Sequence, residues 1–284
     1  MPDRLDVAKT YKLFVRGAFP RSESGRSYAV KSADGRWLAN AAQASRKDVR
    51  DAVVAAREAV SGWSGATAYN RGQVLYRVAE LLEGRAAQFT DQVVDAEGTR
   101  RERARRDVET AIDRWVWYAG WADKFAQVVG SSNPVAGPYF NFSLPEPTGV
   151  VAIVAPQESS FLGLVSVLAP VIVTGNTTVV VAAELRPLPA VTLSEVLATS
   201  DVPPGVVNVL TGRTAELAPV LAAHMDVNAI DLTGAPENVA ELERASAANL
   251  KRVLIQPDDW VGDPSPRRMK SFVEIKTVWH PVGT

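Results

Sequence analysis

Cysteine is absent from the 284 residues of this chain, and histidine occurs only twice, as His224 and His280. The absence of cysteine excludes disulfide bonds, thiolate nucleophiles and thiolate metal ligands. Two histidines give little basis for a zinc site or for a catalytic triad that contains histidine. We therefore expect no metal site in this protein.

The sequence also lacks a large net charge and a long apolar run. Lysine and arginine total 31 residues against 32 aspartates and glutamates, so the formal net charge is -1 and no basic field attracts nucleic acid or acidic membranes. No uninterrupted apolar stretch reaches the roughly 20 residues that cross a bilayer. The first residues also lack the apolar core of a signal peptide. We expect a cytoplasmic protein with small-molecule or protein partners.

The first half of the chain contains a short β region followed by helices. Hydrophobic residues make up 46% of the chain, which is enough for a substantial core. Residues 11–40 alternate apolar and polar positions around glycines, which predicts short strands and hairpins. From Ser45 the apolar spacing becomes helical, and Ser45 stands three positions before Asp48 as a cap. Helices are predicted to continue to roughly residue 128.

Two features within the helical region each have two interpretations. The arginines of residues 99–107 suggest either an anion-binding face or a solvated helix, and the interleaved carboxylates favour salt bridges on a solvated helix. The aromatic cluster that follows is either a ligand platform or a packing surface, and its helical spacing favours packing. The arginines are Arg100, Arg101, Arg103, Arg105 and Arg106, and the aromatic residues are Trp115, Trp117, Tyr118 and Trp121.

The pattern changes again after residue 148. Residues 149–156 form a continuous apolar run, which is typical of a strand that is buried on both faces of a parallel sheet. Helices are then predicted at 161–172, 190–198 and 215–223, and strands at 177–181, 206–210 and 229–232. This alternation predicts an α/β fold with a doubly wound, Rossmann-like parallel sheet.

Two further strands flank this region. Residues 139–144 alternate and are ended by prolines, and residues 271–279 alternate strictly. A lone strand near the C-terminus must find a sheet edge, either in its own molecule or in a partner. Both possibilities remain open at this point.

Several motifs occur together in a fixed order along the chain. They are residues 149–156, Leu168-Ala169-Pro170 with Gly175-Asn176-Thr177, residues 203–212, His224 with Asp226-Val227, Leu232-Thr233-Gly234, and residues 249–253. In these motifs the chain resembles the aldehyde dehydrogenase superfamily over nearly its whole length. So many ordered matches are more specific than a single glycine motif.

The resemblance implies a dinucleotide-fold domain with an N-terminal helical portion and a protruding β-arm that contacts a neighbouring subunit. The implied boundaries are 1–137 for the N-terminal strands and helices, 138–148 for the oligomerisation hairpin, 149–256 for the Rossmann-like core, 257–270 for a short linker in place of the catalytic domain, and 271–284 for the oligomerisation strand. The implied interface residues are Tyr139, Phe140, Phe142, Leu144, Phe272, Val273, Ile275, Val278 and Trp279.

The resemblance also implies that catalysis is lost. Family enzymes form a thiohemiacetal on a cysteine and transfer hydride to NAD(P), and this chain has no cysteine. Gln256 stands at the position of the family's general base, and an amide cannot take a proton as a carboxylate does. Gln157 and Glu158 stand where the family has Trp-Asn, whose asparagine side chain helps stabilise the oxyanion, and a carboxylate at Glu158 repels that charge.

The implied cofactor site is weakened. Where the family has a lysine and a glutamate that contact ribose hydroxyls, this chain has Val181 and Glu184. Glu184 is either a surviving ribose ligand or a carboxylate near a helix start. Thr233 and Gly234 keep the turn before the pyrophosphate helix, but Pro236 removes an N–H donor if it replaces a phosphate-facing residue. We expect NAD(P) to bind weakly or not at all.

Four polar residues have mainly structural interpretations. His224 is expected to close a surface helix, and His280 to be exposed or at an interface. Ser159 and Ser160 follow a strand, but with no histidine or lysine base near them in the sequence they are interpreted as polar loop residues.

Three hypotheses for function follow. The first is a non-catalytic subunit that assembles with a full-length aldehyde dehydrogenase and supports or regulates it. The second is a homo-oligomeric module that binds a nucleotide or another ligand in the sheet crevice. The third is an active oxidoreductase with a mechanism that does not use cysteine.

Overall fold

A computed structural model of the protein describes residues 9–256 and 259–283. The central feature is a five-stranded parallel sheet with the strand order β10-β9-β6-β7-β8. Its strands are β6 (Val150–Val154), β7 (Thr177–Val181), β8 (Val207–Leu210), β9 (Ala229–Asp231) and β10 (Arg252–Leu254). This sheet confirms the predicted α/β fold, although the sequence reasoning did not predict β10.

Helices cover both faces of this sheet. They are α1 (Arg46–Gly65), α2 (Ala68–Glu83), α3 (Ala86–Glu97), α4 (Arg101–Trp121), α5 (Phe125–Val129), α6 (Leu162–Val173), α7 (Leu188–Leu197), α8 (Thr214–Ala223), α9 (Val239–Ser246) and α10 (Arg267–Ser271). Val151 and Ile153 of β6 pack with α2, α3, α4, α6 and α7, whereas Val150, Ala152 and Val154 pack with α1, α8 and α9. Successive side chains of a strand point to opposite faces, so β6 supplies both core layers.

The helical region agrees with its predicted features. Ser45 caps α1 in a capping box with Asp48. Within α3 and α4, Arg101 pairs with Asp91, and three further arginines pair with carboxylates one turn away. Trp115 and Tyr118 are buried in the core. The salt-bridge and packing interpretations are both confirmed.

The N-terminal strands are shorter than the alternating pattern suggests. They are β1 (Thr10–Tyr11), β2 (Ser27–Lys31) and β3 (Trp37–Ala42), in the order β1-β3-β2. Leu13 and Phe14 lie outside these strands and are buried, and the backbone of Phe14 exchanges hydrogen bonds with Val209. Val15 and Ala18 exchange backbone hydrogen bonds in a tight antiparallel turn, so this segment forms a short hairpin that is anchored to the edge strand β8 of the parallel sheet.

A third sheet forms the arm. It contains β4 (Ser131–Asn133), β5 (Tyr139–Pro147) and β11 (Val273–Pro281), in the order β11-β5-β4. The final strand therefore pairs within its own molecule, from Val273 opposite Pro147 to Pro281 opposite Tyr139. The predicted end of β5 at residue 144 is wrong, because Pro145 and Pro147 remain paired with β11. Prolines are tolerated there because β4 reaches only Ser143 on the other side.

The segment before β11 also differs from its prediction. Residues 257–270 were expected to be a linker; residues 257 and 258 lie outside the described residues, and Arg267–Ser271 forms α10 with Arg268 and Met269 buried. Phe272 and Val273 were expected at an interface, but they are 0% and 4% exposed and belong to the chain's own core. Their burial excludes them from any contact surface of the folded chain.

The helices were also compared with the requirements of a membrane-spanning helix. Among residues 9–256 and 259–283, no helix combines the length and the apolar composition that crossing a bilayer needs.

Candidate functional site

The carboxyl ends of β6, β9 and β10 bring together the residues that the sequence singled out. Gln157 and Glu158 follow β6, Thr233 and Gly234 follow β9, and Gln256 follows β10. The chain proceeds from β6 to β7 on one side, and β9 lies on the other side of β6. Ligands of open α/β sheets bind at such a switch point, in the crevice outside the strand ends. We refer to the space between the β6 and β9 ends as the crevice.

Gln157 and Glu158 both have partners in the chain. The side chain of Gln157 donates to the carbonyl of Ala155 at 2.7 Å and accepts from the backbone N–H of Glu184 at 2.9 Å. The carboxylate of Glu158 is exposed and accepts a hydrogen bond from the indole N–H of Trp260 at 3.1 Å. Gln157 therefore holds the β6 and β7 loops together, and Glu158 contacts the segment that follows β10.

The turn after β9 uses its donors internally. Thr233 donates to Asp231 Oδ1 through its backbone N–H at 3.0 Å and through its hydroxyl at 2.6 Å. Gly234 donates its N–H to the carbonyl of Val154 at 3.1 Å. A Cβ added to Gly234 would lie 1.9 Å from the carbonyl oxygen of Ala155, so only glycine allows this approach. The turn is packed tightly against the end of β6.

Gln256 is half-buried beside the same turn. Its backbone carbonyl accepts from the hydroxyl of Thr233 at 3.2 Å and from Arg268 Nη2 at 3.5 Å. The structure thus places Gln256 at the crevice. Its contacts with Thr233 and Arg268 join the end of β10 to the turn and to α10.

Glu184 follows β7 in the chain, and its carboxylate lies at the start of α8. One carboxylate oxygen accepts from Arg213 Nη1 at 2.7 Å, and the other accepts from the backbone N–H of Thr214 at 2.8 Å. A carboxylate at a helix N-terminus interacts favourably with the helix dipole. These contacts favour the helix-start interpretation of Glu184, and the helix concerned is α8.

The sequence reasoning missed a buried ion pair beneath the crevice. Arg268 donates to Asp231 Oδ2, and the two side chains are 4% and 0% exposed. Burial raises the pKa of Asp231, while Arg268 and Thr233 oppose this shift. The sequence signal was Arg268 itself, which stands in the segment that the family resemblance implies to be a linker.

Arg114 is a second buried cation that the sequence reasoning missed. It is 5% exposed, it donates to the hydroxyl of Ser166, and it donates to the carbonyls of Trp260 and Gly262 at 2.5 and 2.7 Å. Arg114 and Arg268 line one polar cavity of about 250 Å³. An arginine among the buried aromatic residues of α4 was the available signal.

The described residues do not fit a dinucleotide well. Phosphate groups bind N–H donors at a helix start; here Pro236 at that start has no N–H, and Thr233 and Gly234 in the turn before it use their donors within the chain. Both carboxylate oxygens of Glu184 already accept hydrogen bonds from Arg213 and Thr214. Weak or absent NAD(P) binding remains a prediction.

The remaining candidate residues have structural contacts. His224 is the C-cap of α8, as predicted, and burial lowers its pKa. Ser159 accepts from the N–H of Gly163 at 2.8 Å, and Ser160 donates to Glu97 through its hydroxyl at 2.7 Å. His280 is exposed in β11. No group of three or more His, Cys, Asp and Glu that could hold a metal occurs within residues 9–256 and 259–283.

The family model for the aldehyde dehydrogenase family matches residues 19–256. The chain belongs to the aldehyde dehydrogenase family. The match includes the whole parallel sheet and β5 of the arm, and it ends at Gln256, before α10 and β11.

Three similar proteins agree with this assignment. Human retinal dehydrogenase 2 is 34% identical over 265 residues, which are 91% of this chain and 50% of that protein. Aldehyde dehydrogenase, cytosolic 1 of Elephantulus edwardii is 32% identical over 86% of this chain and 50% of its own length. The crystal structure of HpcC from Thermus thermophilus matches with a TM-score of 0.82 and 31% identity, over 86% of this chain and 47% of that one. The chain spans about half the length of these relatives.

Proposed function

We propose that this chain is a non-catalytic aldehyde dehydrogenase-like subunit that assembles with a full-length NAD(P)-dependent aldehyde dehydrogenase and supports or regulates it. The observation that carries the proposal is a fully formed arm with exposed apolar side chains in a chain that has no cysteine. We further propose a cytoplasmic location, which the name of the Elephantulus edwardii relative supports.

Three observations support the loss of catalysis. The thiol that attacks the aldehyde is missing from the sequence. Gln256 lies at the crevice with an amide where the family resemblance implies a base. Glu158 places a carboxylate there, and a carboxylate destabilises a developing oxyanion. Restoring one of the three roles leaves the other two missing.

One face of the arm presents a row of apolar residues. Residues directly opposite each other in paired strands share a face, so Phe140, Phe142 and Leu144 of β5 lie on the face of Val278. The rings of Phe140 and Phe142 are 5.3 Å apart, and Phe140 and Leu144 are 50% and 44% exposed. A contiguous exposed apolar surface of this kind is typical of a protein contact.

The opposite face of the arm has its own aromatic pair. The rings of Tyr139 and Trp279 are 5.7 Å apart in an edge-to-face arrangement, and Trp279 is 58% exposed. Ile275 on the same face is 53% exposed. Aromatic residues are enriched in the cores of protein interfaces, so both faces of the arm support assembly with a partner.

We propose a full-length relative as the partner because the family resemblance implies that the arm contacts a neighbouring subunit. The matched part of the chain provides the dinucleotide fold and β5, and β11 completes the arm by pairing with β5 along nine residues. A relative of full length supplies a catalytic domain with the cysteine nucleophile, and this chain contains no cysteine.

Co-purification from native cells tests the assembly. The tagged chain is expected to retain a full-length aldehyde dehydrogenase, and Leu144→Asp and Trp279→Asp are each expected to reduce its yield at least tenfold by placing a charge in one face of the arm. Met225→Asp is the matched control, because Met225 is 66% exposed in the loop between α8 and β9. A chain that elutes without any dehydrogenase would contradict the proposal.

A second candidate function is a homo-oligomeric module that binds a nucleotide or another ligand. The observation that favours it is the preserved switch point between β6 and β9 with the Gly234 turn. Calorimetry with NAD+ and NADP+ separates the two candidates. Affinity in the submillimolar range for either dinucleotide would favour the second candidate.

A further inference from the structure

The segment after β10 returns across the end of the parallel sheet. We define residues 259–268 as the strap. Asp259 and Asp263 of the strap line the polar cavity. The strap ends in α10, which packs against α6. The strap therefore lies at the same sheet edge as the crevice.

Two contacts connect the strap to the two sides of the crevice. On the β6 side, the indole N–H of Trp260 donates to the carboxylate of Glu158 at 3.1 Å. On the β9 side, Arg268 pairs with Asp231 at the end of the strand. The guanidinium of Arg268 lies 6.0 Å from the centre of the Trp260 ring, so the two contacts adjoin. The strap thus spans the crevice from one strand end to the other.

Arg114 of α4 binds the strap through hydrogen bonds. Its Nη2 donates to the carbonyl oxygens of both Trp260 and Gly262, and its Nη1 donates to Ser166 in α6. The two charge-assisted hydrogen bonds from the buried arginine stabilise the strap in this conformation. The sheet side of the cavity is therefore built to receive the strap.

We propose that the strap closes the crevice against dinucleotides. At a switch point, a dinucleotide needs the space outside the strand ends. The indole of Trp260 takes up space at the β6 side, and the exposed carboxylate of Glu158 repels phosphate groups. The strap thus blocks dinucleotide binding from within the same chain. This role does not depend on the proposed assembly.

NAD+ binding to the full chain tests the strap. Trp260→Ala removes both the indole and its hydrogen bond to Glu158, and the Kd for NAD+ measured by calorimetry is expected to fall at least tenfold relative to the unmodified chain. Trp37→Ala is the matched control, because Trp37 lies in β3 and is 39% exposed. A Trp260→Ala chain whose NAD+ affinity equals that of the Trp37→Ala chain overturns the proposal.

Hydrogen exchange on the same proteins supplies a readout that is independent of NAD+. Trp260→Ala is expected to speed exchange of the strap amides at least tenfold while the amides of β6 and β7 stay protected, which also shows that the variant is folded. Unchanged strap exchange would show that Trp260 does not hold the strap and would overturn its role. Faster strap exchange without tighter NAD+ binding would overturn the occlusion.

Discussion

Arg268 and Asp231 form a buried ion pair that joins α10 to the end of β9. Asp231 also accepts two hydrogen bonds from Thr233, so one carboxylate fixes both the turn and the strap. The pair connects the segment that leads into the arm with the sheet that the family match covers.

Removal of Arg268 is expected to destabilise the chain. Arg268→Met leaves the Asp231 carboxylate buried with only the Thr233 donors, and we expect the free energy of unfolding to fall by about 3 kcal/mol at about pH 7. Adding Asp231→Asn removes the buried charge and is expected to recover at least about 1 kcal/mol. Urea denaturation of both variants checks this, and an equal loss in the single and double variants would contradict it.

The pH dependence of Arg268→Met follows from the pKa of Asp231. Burial raises the folded-state pKa of Asp231 above its usual value, so at a pH between the unfolded and folded pKa values the folded state binds a proton that the unfolded state has released. The cost of the variant is therefore present above the folded pKa and declines as the pH falls through it. Denaturation at about pH 5 is expected to show a smaller loss relative to the unmodified chain than at about pH 7.

Gly234 is expected to tolerate no side chain. Gly234→Ala places a Cβ against the backbone of Ala155, and we expect a loss of about 2–3 kcal/mol in the free energy of unfolding. Gly62→Ala is the matched control, because Gly62 lies within α1 with open space around it and is expected to gain about 0.5 kcal/mol. Thermal denaturation distinguishes the two, and a neutral Gly234→Ala would show that the turn is not tightly packed.

Lys251 gives a second pH-dependent prediction. It is 8% exposed, its Nζ donates to Asn249 Oδ1 at 2.5 Å, and burial lowers its pKa to about 8. Because the folded pKa lies below the unfolded one, this residue destabilises the fold below about pH 8, and the cost decreases as the pH rises toward 10.5.

Lys251→Met is expected to stabilise the chain by about 1 kcal/mol at about pH 7, after allowance for solvent screening and for the lost hydrogen bond. The difference from the unmodified chain should shrink as the pH rises from about 8 to about 10. Chemical denaturation across this range measures it. A difference that is constant with pH would contradict the lowered pKa.

The isolated chain is expected not to oxidise aldehydes. With no thiol to form the thiohemiacetal, NADH formation from an aliphatic aldehyde should stay at the rate without protein, and Gln256→Glu should not raise it. A full-length relative that contains the cysteine is the positive control. NADH formation that scales with the concentration of the isolated chain would contradict the loss of catalysis.

The sequence predicted the elements whose pattern is local. The continuous apolar runs of β6 and β7 and the spacing in α1 each reflect burial that repeats along the element itself. The three-residue β10 was missed, because Arg252 opens it and the run is too short to show a period. The residue pattern left the pairing of the arm open for a related reason, since alternation gives the faces of a strand and not its partner, and only the family resemblance joined the two strands in one arm.

The candidate site was predicted in part. Gln157, Glu158, Gln256 and the Thr233 turn were singled out by the family resemblance, and the structure brings them to one sheet edge because the parallel strands β6, β9 and β10 end there. Arg114 and Arg268 were missed because their roles depend on Trp260 and Asp231, which are distant in sequence. The same long-range packing explains why the segment that was expected to be a linker forms a strap.

The measurement that tests the central claim most directly is the native mass of the complex that the tagged chain forms in its own cells. Native mass spectrometry of the purified complex should give masses that contain this chain together with at least one full-length aldehyde dehydrogenase subunit, and Trp279→Asp should shift the chain to the unbound mass. Masses that are only integer multiples of this chain's own mass, unchanged by Trp279→Asp, would contradict the claim.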